Sequence, residues 1–491
     1  MEKFNSKAIK IAIFGCINVF LLNYSFSHPL LNVNSEDRFV YDVFESSINA
    51  KYFITSIRPY NYKKAFLITD KSEWVKEYLN ALSNPGFFIK PLNSITFKFL
   101  FTSEEYFTLE NSSGTLLREG LNFYTFLDGY ISFGNRSVIY YQLRFLNNKQ
   151  TSKAQIHKLY WKIRVWKFSF EVGKDTVHLG PGEYALLLSS NAEPFPMIKF
   201  QTEEPLKFFG DWEFVFLRGW LNEERLDRDN PNILALRVVW KPWYFIEIGA
   251  TRTALYGGEG RPGYKLTEYP KLIIGTEENI PYSKYDSDGY GAIDVSLYLP
   301  LNKWFKSVET FKVYYQDSGT DITAWWQKED KGEFKPPFGF QFLDRGTVAG
   351  ILVRTKKDII RFEYTRTSRD HYIHHLYNVE GYTYKGMSLG HPYGRNLKHF
   401  MFKHRRFLKD KLSIEYKLGY YKQPAFESEK FMERYYVSLA GEKRYKNLIL
   451  EGLLRFDFTK NYDSNPSPVQ FNIINENKTF ITVGTSISWR F

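Results

Sequence analysis

The sequence predicts an all-β fold: an antiparallel transmembrane β-barrel of about 18 strands (16–18), with a small N-terminal helical segment that lies in the periplasm or plugs the lumen. Three observations predict it. The chain closes on Phe480-Ile-Thr-Val-Gly-Thr-Ser-Ile-Ser-Trp-Arg-Phe491. There Ile481, Val483, Thr485, Ile487, Trp489 and Phe491 share one strand face, and Thr482, Gly484, Ser486, Ser488 and Arg490 share the other. Such period-two alternation ending on an aromatic suits a lipid-facing apolar side and a polar lumen side. Second, aromatics make up 19% of the chain, with 36 Tyr, 44 Phe and 11 Trp, enough for girdles at two membrane interfaces. Third, many alternating segments reach the roughly 9–11 residues that a tilted membrane strand needs, where soluble strands average about 5–6. The mean hydropathy of −0.39 excludes a helical membrane protein but not a barrel, because half of each strand is polar.

Residues 1–27 read as a signal peptide. Lys3, Lys7 and Lys10 precede the apolar run Ile11 to Leu22, which is too short to span a bilayer as a helix, and Ser25-Phe26-Ser27 places small residues before His28. Cys16, the only cysteine, lies in this leader behind the bulky Phe14, which argues against a lipidation site and leaves a mature chain without thiols.

Residues 28–90 carry helical rather than strand periodicity. Phe39, Val40, Val43, Phe44 and Ile48 follow a helical spacing. Asp70-Lys-Ser-Glu73 forms a capping-box pattern ahead of Trp74, Val75, Tyr78, Leu79 and Leu82, and Asn84-Pro85-Gly86 stops that run. Two short amphipathic helices are expected.

Residues 91–491 read as the barrel. Ile139, Tyr141, Leu143 and Phe145 oppose Tyr140, Gln142 and Arg144; Ile293, Val295, Leu297 and Leu299 oppose Asp294, Ser296 and Tyr298. Ile360, Phe362 and Tyr364 oppose Arg361, Glu363 and Thr365. Residues 411–421 and 447–458 alternate in the same way. Alternation alone leaves open whether the polar face is the outside of a sandwich or the inside of a barrel. Lys241-Pro242, Lys356-Lys357 and Lys409-Asp410 read as short periplasmic turns, and 253–290, 317–346 and 367–396 as long outer loops. Residues 157–173 switch parity, which predicts a β-bulge near Trp166.

The net charge of +12 suggests anionic partners, but the basic residues are scattered among acids and form no nucleic-acid motif. Positive lumen or loop surfaces would attract anionic glycans or lipopolysaccharide.

Two segments exceed a generic barrel: Gly180-Pro-Gly182 followed by Ser189-Ser190-Asn191, Pro194 and Pro196, and Gly390-His391-Pro-Tyr-Gly394 with Asn396 after it. With Asn279-Ile-Pro-Tyr-Ser283 and the helical N-terminal segment, the order of parts resembles the Wzi capsule-assembly family over most of the mature chain. The resemblance implies an eighteen-stranded outer-membrane barrel of a Gram-negative bacterium, closed to diffusion, with a periplasmic helical bundle. It implies a non-enzymatic lectin that anchors capsular or extracellular polysaccharide. Outer-membrane lipid, lipopolysaccharide and the polysaccharide-export machinery are the further partners expected. The alternative is an open porin for sugars or anions, which a water-filled eyelet would distinguish.

Candidate glycan-binding residues come from loop chemistry. Tyr285, Asp286 and Asp288, between Tyr282 and Tyr290, offer stacking faces and carboxylates that could also take Ca²⁺. Asp321, Trp325 and Trp326, beside Glu329-Asp330, form a second platform, for which an interface girdle is the simpler reading. His391 and Arg395 complete the set. Gly390 and Gly394 beside His391 suit a tight turn better than catalysis, and Pro194 and Pro196 shape backbone. His371, His374 and His375 cluster near Asp370, but this spacing matches no familiar metal motif, and an exposed polar loop is the simpler reading. No metal, cofactor or catalytic set is expected.

Overall fold

The computed structural model describes residues 28–34, 38–68, 87–275, 283–320, 322–324, 340–409, 411–424, 431–462 and 476–491. Eighteen antiparallel strands close into one barrel. They are β1 (Phe87–Thr108), β2 (Leu116–Phe133), β3 (Ser137–Asn148), β4 (Ser152–Val165), β5 (Phe168–Asp175), β6 (Phe195–Thr202), β7 (Asp211–Trp220), β8 (Asn232–Trp243) and β9 (Ile246–Tyr256). The circuit continues with β10 (Asp288–Tyr298), β11 (Val308–Gly319), β12 (Gly346–Thr355), β13 (Asp358–Thr367), β14 (Lys398–Phe407), β15 (Leu412–Pro424), β16 (Phe431–Tyr445), β17 (Leu448–Lys460) and β18 (Lys478–Arg490). Every strand pairs with its chain neighbours, and β18 pairs with β1 from Ser94↔Arg490 to Thr102↔Thr482, so no sheet edge is left open.

Burial decides between sandwich and membrane barrel. On β18 the apolar face is the exposed one: Val483 is 44% and Trp489 47% exposed, while Thr482 is 1% and Ser486 5% exposed. The same inversion holds on β13, where Phe362 is exposed and Arg361 and Glu363 are buried. Charge inside and hydrocarbon outside is the arrangement of a barrel whose outer solvent is lipid. This is an outer-membrane protein.

The turns at 134–136, 166–167, 244–245 and 356–357 lie at one end, ringed by exposed aromatics: Phe87, Phe133, Trp166, Phe208, Phe209, Trp243, Tyr244 and Trp304. Trp212 stacks on Trp240 at 5.5 Å within this belt. Phe491 closes at the same end, its N–H donating to Asn93 O. The parity switch near Trp166 is a hairpin, not a bulge: Val165 pairs with Phe168, and Trp166 turns at φ 54°. A two-residue turn with positive φ reverses the chain and reads in sequence as a slipped register. A register shift does occur one hairpin away: between Lys158↔Gln142 and Ile156↔Leu143 the pairing slips by one residue, at His157. Lys241-Pro242 belongs to β8, and the turn falls on Tyr244 and Phe245, just beyond it.

The N-terminal segment fills the lumen at the short-turn end. Helix α1 (Arg38–Ser46) presents the expected apolar residues Phe39, Val40, Val43 and Phe44, yet its polar residues Asp42 and Glu45 are buried too. A helix buried on all sides needs its charges paired. Asp42 meets Lys403 at 2.7 Å, Glu45 meets Arg361 at 2.6 Å and also pairs with Arg58. Helix α2 (Tyr62–Ile68) follows; its Lys64 reaches Glu213 at 2.6 Å. The helix expected after the capping box at Asp70 lies outside the described residues. Thr55 and Ser56 donate their backbone N–H groups to Glu247, each at 3.1 Å, and Arg237 bridges Ser56 Oγ (2.6 Å) and Asp294 (2.6 and 2.9 Å).

Candidate functional site at the outer mouth

The long connections lie at the end opposite the plug. The first to matter joins β5 to β6. Residues 175–195 are buried without interruption, because this loop turns down into the barrel. Its His178–Leu179 pair with Ile57–Arg58 of the plug in a two-stranded ladder, and Gly180 N–H donates to Ser56 O at 3.0 Å. Outer loop and inner plug therefore meet inside the lumen. Wall side chains receive the loop's backbone: Glu363 accepts from Glu183 N–H (2.8 Å) and Tyr184 N–H (3.1 Å), and Gln316 Oε1 accepts from Leu186 N–H (3.2 Å). A Cβ at Gly182 would sit 2.7 Å from Glu363 Oε2, so glycine permits this approach.

The two sequence motifs pack against each other above that point. Ser189 donates from N–H to Leu389 O (2.7 Å) and from Oγ to Gly390 O (2.6 Å), and Asn191 Nδ2 donates to Ser388 O (3.1 Å). Ser113 N–H and Gly114 N–H, from the β1–β2 connection, donate to Ser190 O and Asn191 O. Gly390 leaves no room for a side chain, since a Cβ would collide with the Leu186 carbonyl. Glu193 binds Arg144 of the wall and Lys385 of the neighbouring loop, the latter at 2.7 Å. Burial would raise its carboxyl, but these cations hold it down to about 2. Arg225 ties the β7–β8 connection to the same cap, donating to Thr383 O (3.0 Å) and Gly381 O (2.7 Å).

The residues singled out in sequence separate by depth. His391 is buried against Tyr184, ring centroids 5.0 Å apart, and beside His399. Burial, only partly offset by the Glu110 carboxylate, pushes its imidazole down to about 3, so it is neutral at physiological pH. Arg395 is buried and donates to Arg369 O at 2.9 Å. Asp286 and Asp288 are buried beneath the surface, whereas Tyr285 is half-buried at it. Asp321, Trp325 and Trp326 lie outside the described residues.

Tyr285 belongs to a patch that the sequence pattern does not reveal. Tyr264 lies 5.9 Å from it, centroid to centroid, and Lys271 Nζ sits 4.4 Å over its ring. Glu268 accepts from Lys284 Nζ (2.7 Å), from the Lys265 N–H (2.6 Å) and from Tyr285 Oη (3.3 Å), and these bonds hold its half-buried carboxyl down to about 2. Arg261 stands at its edge, donating to Ser283 O at 2.7 Å. Two tyrosine faces framed by lysines and a fixed carboxylate can stack on sugar rings and bind hydroxyl or acidic groups. The sequence signal is the tyrosine density of the 253–290 loop, but the partners come from opposite ends of that loop.

The family description "Capsule assembly protein Wzi" matches residues 101–463. The chain belongs to the Wzi capsule-assembly family. No match is found among curated proteins. Among solved structures, the chain is similar to Escherichia coli Wzi, described as an outer-membrane, carbohydrate-binding β-barrel involved in group 1 capsule assembly. The two are 14% identical with a TM-score of 0.66, over 94% of this chain and 99% of that one. Two Pseudomonas aeruginosa outer-membrane proteins are more distant. OprD is 8% identical with a TM-score of 0.48 over 83% and 97% of the chains, and OpdQ is 9% identical with 0.47 over 82% and 98%. The segments Gly180-Pro-Gly182, Ser189-Ser-Asn191 and Gly390–Gly394, singled out in the sequence, build the contact with the plug and the cap above it.

Proposed function

We propose that this Wzi-family barrel anchors polysaccharide at the cell surface without chemical turnover and without conducting it. The observation that carries this reading is the meeting of the β5–β6 loop with the plug: His178–Leu179 against Ile57–Arg58 puts continuous backbone across the lumen. A porin needs an eyelet where this ladder runs. Escherichia coli Wzi, similar in fold, is described as carbohydrate-binding, which supports the same role here. The surface offered to the glycan is the Tyr264–Tyr285 platform with Lys271 and Lys284, and its cations suit an acidic polysaccharide. Lipopolysaccharide around the barrel and the export machinery beneath it complete the partners in this reading.

The experiment measures planar-bilayer conductance of the refolded barrel, together with retention of the cells' own polysaccharide on immobilised protein. No steady conductance, with retention that falls about tenfold in Tyr264→Ala/Tyr285→Ala, is the expected result. Stable porin-sized conductance without retention would replace anchoring by transport. Retention unchanged in the double variant would move the glycan to another loop.

A further inference from the structure

We propose that Asp286, His374 and His375 form a divalent transition-metal site that cross-links two outer loops. The residues come from separate connections, Asp286 from β9–β10 and the histidines from β13–β14. Each offers a ligand atom, and these atoms lie within 4.8 Å of one another. Asp286 Oδ2 faces His375 Nε2 at 2.9 Å, and Asp286 Oδ1 faces His374 Nε2 at 3.6 Å. Neither Asp286 Oδ1 nor His374 Nε2 makes a hydrogen bond, although the side chains are only 1% and 8% exposed. Buried polar atoms left this way are costly, and one cation between them would satisfy both.

The donor set selects the ion. Two imidazoles and one carboxylate suit Zn²⁺, Ni²⁺ or Cu²⁺, whereas Ca²⁺ and Mg²⁺ prefer oxygen shells. His375 is 48% exposed, so solvent can fill the remaining coordination position. The backbone is already held: Tyr377 N–H donates to His374 O (2.9 Å), Tyr377 Oη to Gly257 O (2.9 Å) and Arg261 Nη2 to Asp286 O (3.1 Å). Two features limit affinity. The Arg261 charge is close by, and Leu376 N–H points at His374 Nδ1 at 3.3 Å. A metal on Nε2 places the proton on Nδ1, so this long contact must open. The expected affinity is therefore micromolar rather than nanomolar. His371 takes no part: its Nδ1 faces Asp344 O at 2.5 Å and its ring packs on Tyr290.

The test is calorimetric titration of the full-length, detergent-purified barrel, free of any polyhistidine tag and stripped with chelator, with Zn²⁺, and with Ni²⁺ and Cu²⁺ in separate runs. One saturable site of micromolar affinity is expected. Asp286→Ala and His374→Ala should each weaken it at least tenfold, with heat-modifiable gel migration reporting that both variants still fold. His404→Ala removes another His–Asp pair, at the short-turn end and 2.9 Å apart, and should leave the titration unchanged. Zn²⁺ should also slow hydrogen exchange in residues 283–287 and 371–377. Absence of saturable uptake of Zn²⁺, Ni²⁺ and Cu²⁺, or equal uptake by folded Asp286→Ala and His374→Ala, would overturn the proposal. No polysaccharide enters the assay, so its outcome is independent of the anchoring role.

Discussion

Glu45 is the residue whose removal should loosen the plug most. It lies on α1 inside the lumen, within 2.6 Å of Arg361 and paired with Arg58, and all three side chains are nearly out of solvent. Burial alone would raise its carboxyl; Arg58 and Arg361 outweigh burial and hold it from an ordinary 4.5 down to about 2. By linkage that is worth about 3 kcal/mol above pH 5. Breaking a buried pair by deleting one partner costs about 3–5 kcal/mol, which agrees. The lower figure is appropriate, because Arg361 keeps Asp42 at 3.6 Å and Glu183 at 3.7 Å, and Arg58 keeps Gly182 O at 3.1 Å. In Glu45→Ala, a loss of about 3 kcal/mol raises the population of undocked plug on the order of 10²-fold. Native-state hydrogen exchange of residues 38–46 reads this directly, since amide exchange follows local opening. Exchange in these residues should quicken by that factor, while the barrel strands stay protected. Unchanged exchange in a correctly folded Glu45→Ala would refute the idea that this ion cluster docks the plug.

Acid should loosen the mouth in the same way. Glu193 has a depressed carboxyl, so its contribution is complete above about 4.5 and is lost as pH falls toward 2; protease access to the 176–194 loop should rise across that window and not between pH 6 and 8. Gly390→Ala forces a Cβ against the Leu186 carbonyl and should cost about 1–3 kcal/mol, seen as a lower temperature of heat-modifiable unfolding. Val483→Arg puts a charge on the outward face of β18 and should cost about 2–4 kcal/mol of folding into lipid vesicles. Normal vesicle folding of Val483→Arg would contradict the membrane assignment of that face.

Much of the fold was legible in the sequence because a barrel strand is a local object. Ile481, Val483 and Ile487 alternate with Thr482 and Ser486 whatever surrounds them, since successive side chains of a strand point to opposite faces. The Lys356-Lys357 turn and the apolar positions of α1 were equally local signals. The Trp166 turn was misread because a two-residue hairpin and a bulge shift parity alike in one dimension.

What the sequence by itself determined, then, is the alternation, the α1 helix and the family to which the chain belongs. Only the tertiary structure decided which face is inside. It alone decided that the Gly180-Pro-Gly182 loop descends to meet the plug, that Ser189 and Gly390 touch, and that Asp286 stands against His374 and His375. The physical reason is one of range. Alternation and helical spacing are set by neighbours along the chain, whereas a filled lumen and a clustered mouth are set by barrel closure, which brings loops together irrespective of their separation in sequence.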